Sequence, residues 1–242
     1  MPYRKIFFEK NQPVHIVSRA VIDIFKKKED CYRFIFQFYA ANLGKRGFNV
    51  RIQDAIRAGQ ALLLGDTIPS KFVIKEHAPL VDLLDFSLVI NHDHFYLLPN
   101  IDNAVPIFMK KLNNNFAKYF NLIHNRKDAV FGGRYKSVIV KTETQSAAVS
   151  RYISIINPLD VFQPGWREGG LKDWNKALEF LEGYEFSSFP DKIGKRNSKI
   201  LAPKEILEKY SFMSSFKNTK GYQEFAEEFL KEKTSSRGHF LE

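Results

Sequence analysis

Two histidines one residue apart, His92 and His94, stand inside the apolar run Phe86–Leu98. Side chains alternate faces along a strand, so both imidazoles leave the same side, about 7 Å apart along the chain. Two neutral imidazoles at that spacing can share one metal ion, and Asp93 between them points to the opposite face. The competing reading is a pair of unrelated polar residues on a solvated strand face. Tyr152 is the second residue with chemistry to offer. It falls on a predicted helix between Thr144 and Asn157, next to Arg151. A phenol with a pKa of about 10 is mostly protonated at neutral pH, so as a nucleophile it needs an electrophile made more reactive by a metal. As a packing residue it needs nothing.

The elements that must position these residues follow from periodicity. Val14–Arg19 mixes β-branched and polar residues and reads as a strand. Asp30 is placed to cap a helix running to about Leu43 and ended by Gly44, Phe48–Ile52 is a short strand candidate, and Gln53–Leu63 fits helix or strand. Phe86–Leu98 reads as the strongest strand of the chain. Beyond it, apolar residues at Val105, Phe108, Leu112, Phe116, Tyr119 and Ile123 predict an amphipathic helix with Pro106 in its first turn. Gly132-Gly133 breaks the chain before a strand over Arg134–Lys141, and Thr142 or Thr144 caps a helix expected to end near Pro158. Residues 1–160 read as one α+β domain. Residues 161–242 read as a mostly helical extension, with helices around Leu171–Leu181, Pro203–Tyr210 and Tyr222–Lys233.

Composition narrows the partners. The 242 residues carry 37 Lys+Arg against 27 Asp+Glu, a net charge of +10, and the scattered excess favours nucleic acid over a membrane surface. Arg19, Lys110, Lys111, Lys118, Arg134, Lys136 and Arg151 are candidate phosphate contacts, and Tyr135 is a candidate base-stacking residue. The single cysteine, Cys31, excludes a disulfide framework and every multi-cysteine zinc site. No 18-residue apolar run spans a membrane. Met1-Pro2-Tyr3-Arg4-Lys5 lacks the apolar core of a signal peptide, so a cytoplasmic location is expected. Monomer and homodimer are both open.

Taken in order, the motifs resemble those of the HUH single-tyrosine transposases. Asn91-His92-Asp93-His94-Phe95-Tyr96-Leu97-Leu98 is similar to the family's histidine strand. Gly132-Gly133-Arg134-Tyr135-Lys136-Ser137 resembles its glycine-arginine-tyrosine-lysine block, and Arg151-Tyr152-Ile153-Ser154-Ile155-Ile156-Asn157-Pro158 its tyrosine helix. Tyr184-Glu185-Phe186-Ser187-Ser188-Phe189 resembles an element of the REP-associated branch, and His15–Arg19 the opening strand, with Ala20 where the family has Gly. The resemblance covers roughly residues 10–195. It implies a ferredoxin-like antiparallel sheet flanked by helices, acting on single-stranded, hairpin-forming DNA. It further implies Tyr152 as nucleophile, forming a 5′-phosphotyrosine link, and a divalent ion, Mg2+ or Mn2+, held by His92, His94 and an oxygen ligand carried over to Asn157.

Two departures stand out. Asp93 occupies a position that is apolar in the family and needs a basic partner or an exposed edge. The family places its amide four residues after the tyrosine, about 40° around a helix, whereas Asn157 is five residues on, about 140° away. Ile156 takes the expected slot unless a π-bulge or an early helix end swings Asn157 back. The rival readings are a non-catalytic DNA-binding descendant and an RNA-recognition module. Arg46-Gly47-Phe48 opens the latter's signature, but Asn49 and Val50 do not continue it.

Overall fold

The computed structural model describes residues 6–43, 53–73, 78–210 and 219–235. Strand β1 (Val14–Arg19) is followed by helices α1 (Lys28–Asn42) and α2 (Gln53–Leu64), strands β2 (Val81–Val89) and β3 (His92–Pro99), helix α3 (Ala104–Ile123) and strand β4 (Lys136–Ile139). The strands lie in the order β2-β3-β1-β4 with every pair antiparallel. This is the ferredoxin-like α+β arrangement. The expected strand over Phe48–Ile52, the helix stop at Gly44 and the Arg46-Gly47-Phe48 segment lie outside the described residues.

Three local expectations change. The run Phe86–Leu98 is not one strand but most of a hairpin that turns at Ile90-Asn91. The loop after β1 satisfies the turn: Ala20 N–H donates to the Asn91 carbonyl at 2.8 Å, and Ile24 and Phe25 N–H donate to that of Ile90 at 2.9 Å each. Asp30 does not cap α1, which starts at Lys28. Instead it is buried in the first turn, accepting from the Tyr119 hydroxyl at 3.0 Å and lying 2.9 Å from His124 Nε2. The ambiguous Gln53–Leu63 segment is helical.

Strand alternation divides the sheet into two unlike faces. Val14, Ile16, Phe95 and Leu97 point to a core with Phe34 and Phe38 of α1 and Phe108 and Phe116 of α3. Tyr96 and Leu98 point the other way, to a smaller cluster with Leu84, Val140 and Ile153. That second face carries helix α4 (Glu143–Arg151), a π-helical segment over Tyr152–Ile156 and helix α5 (Asn157–Phe162). Thr142 caps α4, its hydroxyl accepting from Gln145 N–H at 3.2 Å.

The chain continues through α6 (Trp166–Gly169), α7 (Trp174–Gly183), α8 (Phe189–Lys192), α9 (Lys204–Tyr210) and α10 (Thr219–Ser235). Ile155 and Leu159 share a core with Trp166, Leu181, Tyr222 and Leu230, so the tyrosine-bearing helix is packed between sheet and extension. Residues 186–188 lie along the outer edge of β2. Leu88 N–H donates to Phe186 O at 2.8 Å and Ser188 N–H to Phe86 O at 3.0 Å, which satisfies backbone groups an open edge would expose. No described helix is long and apolar enough to cross a membrane.

Candidate active site on the open face of the sheet

His92 and His94 leave β3 on the face that carries the tyrosine helix. Their ring centroids are 5.0 Å apart, and that of Tyr152 is 5.4 Å from His94. Residues paired across antiparallel strands share a face, so Arg19 opposite His92 and Val17 opposite His94 place His15 there as well, opposite Tyr96. His15 reaches diagonally to His94, Nε2 to Nδ1 at 3.0 Å, and its ring centroid is 6.1 Å from that of Tyr152. Three imidazoles and one phenol therefore meet at a single spot. Burial pushes His15 and His92 down to about 4, and His94 well below the ordinary imidazole range. All three are neutral near pH 7.

The helix presenting Tyr152 is irregular, for reasons visible in its sequence. The Ser154 hydroxyl donates to the Ser150 carbonyl at 2.8 Å, a back-bond that loosens the helix. Pro158 has no N–H to give, and its ring would crowd the carbonyl four residues earlier. The chain responds with a widened turn instead of stopping, and Asn157 N–H donates to the Tyr152 carbonyl. An extra residue lodged in one turn brings residue i+5 to where i+4 stands in an α-helix. Asn157 thus takes the slot expected for Ile156, which packs against the core of the extension instead.

The extension adds a group that the sequence did not single out. Arg167, following α5, lies 5.4 Å from the centre of the Tyr152 ring. Asp160 holds it through a forked pair, Nη2 at 2.7 Å and Nε at 2.9 Å. The same Nη2 donates to Asn157 Oδ1 at 3.4 Å. Only its position after Asn157 and Asp160 could have hinted at this.

A divalent ion fits the donor chemistry present. His92 Nδ1 is tied to Asn91 Oδ1 at 2.8 Å and His94 Nδ1 to His15, which leaves Nε2 of each imidazole for a ligand bond. His94 Nε2 is buried with no hydrogen-bond partner. Asn157 is fully buried, and its Oδ1 keeps a second lone pair beside the long contact to Arg167. Among the described residues no group of three His, Cys, Asp or Glu is arranged to hold an ion, and the Asn157 amide oxygen is the further donor that the resemblance implies.

The other expected contacts divide. Arg19 is exposed beside the histidines, and its charge helps to keep His92 and His94 neutral. Lys136 pairs with Val17 and is exposed on the same face. Arg134 is exposed after Gly133, whose φ of 140° admits little but glycine. Tyr135 packs against the opposite core, and Arg151 lies over the rings of Phe225 and Phe229 at 6.0 and 5.5 Å. Lys110, Lys111 and Lys118 are on α3, behind the sheet and away from Tyr152.

Asp93 has neither of its two expected remedies. It is fully buried opposite Ser18 with no basic partner, and burial raises its carboxyl well above the usual carboxylate range. A carboxyl held toward its neutral form is the remaining way to tolerate that site.

No protein-family model matches the chain, and no curated protein matches it. One solved structure, described as that of a REP-associated tyrosine transposase bound to a REP hairpin, is similar at 12% identity. The match covers 84% of this chain and 92% of that one with a TM-score of 0.45. A likeness this distant assigns neither family nor activity.

Proposed function

We propose that this chain is a metal-dependent endonuclease and strand transferase for single-stranded, hairpin-forming DNA, of the HUH single-tyrosine transposase type, with Tyr152 as nucleophile. The observation that carries this reading is the meeting of His92, His94 and Tyr152 on one face, with the π-turn setting Asn157 one turn beyond the tyrosine. His92, His94 and Asn157 would hold Mg2+ or Mn2+, and the ion, when bound, draws charge from the phosphate oxygens. The Tyr152 oxygen forms a bond to phosphorus as the bond from phosphorus to the 3′ oxygen breaks. The phenol proton ends on the released 3′-hydroxyl, and the 5′-phosphotyrosine link conserves the bond energy for strand transfer. Arg167 orients the tyrosine ring and the Asn157 amide. Arg19 and Lys136 line the approach of the strand.

A second reading is a DNA-binding chain that no longer cleaves, and the contact of Asn157 Oδ1 with Arg167 favours it. The deciding experiment incubates the protein with labelled hairpin-flanked single strands in Mg2+ or Mn2+ and looks for covalent adducts on denaturing gels. The enzyme reading expects adducts from the wild type and none from Tyr152→Phe, with DNA affinity nearly intact. Adducts that persist in Tyr152→Phe overturn the nucleophile. Binding without adducts in the wild type supports the second reading.

A further inference from the structure

We propose that His15 is a positioning residue that sets the tautomer of His94, holding the proton on Nδ1 so that Nε2 presents a lone pair to the ion. This rests on His92 and His94 being the metal ligands proposed above, and it assigns His15 no ligand role of its own.

The argument is one of donor and acceptor accounting. A neutral imidazole carries one N–H and one bare nitrogen, and the partner of one nitrogen decides what the other can do. His94 Nδ1 faces His15 Nε2 at 3.0 Å, so one of the two nitrogens carries the proton between them. If His15 donates, His94 must carry its own proton on Nε2, which is buried without a partner. That nitrogen would then be an unsatisfied donor and could not bind a cation. If His94 donates, His15 keeps its proton on Nδ1, and the buried, unpartnered His94 Nε2 is bare. Only the second arrangement leaves His94 Nε2 free to take an ion.

His92 follows the same logic with a different partner. Its Nδ1 lies 2.8 Å from Asn91 Oδ1, an atom that can only accept, so the proton is on Nδ1 and Nε2 is bare. Both ligands are thereby set to bind through Nε2, one by a neighbouring amide and the other by a histidine from the adjacent strand. The β1–β3 register makes this possible. His15 pairs with Tyr96, two residues from His94 on the same face, within diagonal reach of a long side chain.

The test reads the tautomer directly, in metal-free protein without DNA. Long-range proton–nitrogen correlation spectra of nitrogen-15-labelled wild type should show His94 protonated on Nδ1. His15→Ala should shift His94 to a mixture or to the Nε2–H form and weaken Mn2+ binding by about 10- to 100-fold in calorimetry. His15→Gln, whose terminal oxygen can stand where Nε2 does, should restore both. Nε2–H in the wild type overturns the proposal, and that measurement needs no variant to fold. So does a folded His15→Ala protein, by circular dichroism, that keeps both the wild-type tautomer and its Mn2+ affinity. Loss of tautomer control with no DNA adduct from the wild type would remove the proposed function and leave the role of His15 standing.

Discussion

The N–H of Asn157 donates to the carbonyl of Tyr152, five residues earlier. That bond sets which of two adjacent side chains, Asn157 or Ile156, stands one turn beyond the tyrosine, and substitutions at the two positions should separate cleanly. Asn157→Ala removes the amide oxygen and should abolish nicking in Mg2+, with partial retention in Mn2+, which imidazoles bind more readily. Ile156→Gln should bring no gain in metal affinity, because its side chain belongs to the core of the extension. It should cost roughly 0.5–3 kcal/mol of stability instead. Nicking assays in both metals and denaturant melts check the pair, and tighter metal binding by Ile156→Gln would contradict the π-turn placement.

A buried ion pair ties the extension to the sheet. Lys192 bonds Asp85, Ser150 and Ser154, while Ser188 and Ser150 donate to the same carboxylate. Lys192→Met leaves Asp85 as an uncompensated buried charge and should destabilise by about 3–5 kcal/mol. Adding Asp85→Leu should recover most of that loss. Urea melts of the two proteins test this, and a double variant no better than the single one would show that the pair contributes more than mutual neutralisation.

Asp93 is a liability for stability, so Asp93→Val, apolar and β-branched in a central strand, should raise stability by roughly 1–3 kcal/mol. The substituted side chain lies on the face opposite the histidines, so nicking should be preserved. A melt showing destabilisation would mean that the carboxyl has a partner worth more than its burial costs.

DNA affinity should depend on one face only. Replacing Arg19 or Lys136 with Ala should weaken binding and make the log–log salt dependence shallower by about 0.7 for each phosphate no longer neutralised. The same change at Lys110 or Lys118, behind the sheet, should alter neither. Fluorescence anisotropy over a salt series distinguishes the two groups.

What could be read in the sequence was local. The strand carrying His15, the α3 stripe from Val105 to Ile123 and the Thr142 cap each depend on residues close in the chain, and all are present. The hairpin turn at Ile90-Asn91 was hidden because apolar residues run on through it. The role of His15 was hidden because strand pairing, not spacing, brings it to His94. Arg167 is silent in the sequence because folding of the segment after α5, not a motif, brings it to Tyr152. The place of Asn157 turned on one widened turn, for which Pro158 and Ser154 were the available signs. The Tyr184–Phe189 motif also gains a physical meaning: Tyr184 donates to Leu88 O at 2.7 Å, and the serines fasten the segment to the β2 edge and to Asp85.

The Asp85–Lys192 pair bears on how the protein comes off the ribosome. The carboxylate emerges 107 residues before the ammonium that neutralises it. Until then β2 carries a carboxyl without its buried partner and an outer edge still awaiting residues 186–188. All four strands are available to pair once Ile139 has emerged, but the neutralisation of Asp85 and the cover of the β2 edge wait for the segment through α8. Because Lys192 also bonds Ser150 and Ser154, on either side of Tyr152, the last tie on the tyrosine-bearing helix comes from a residue synthesised 40 positions after the tyrosine.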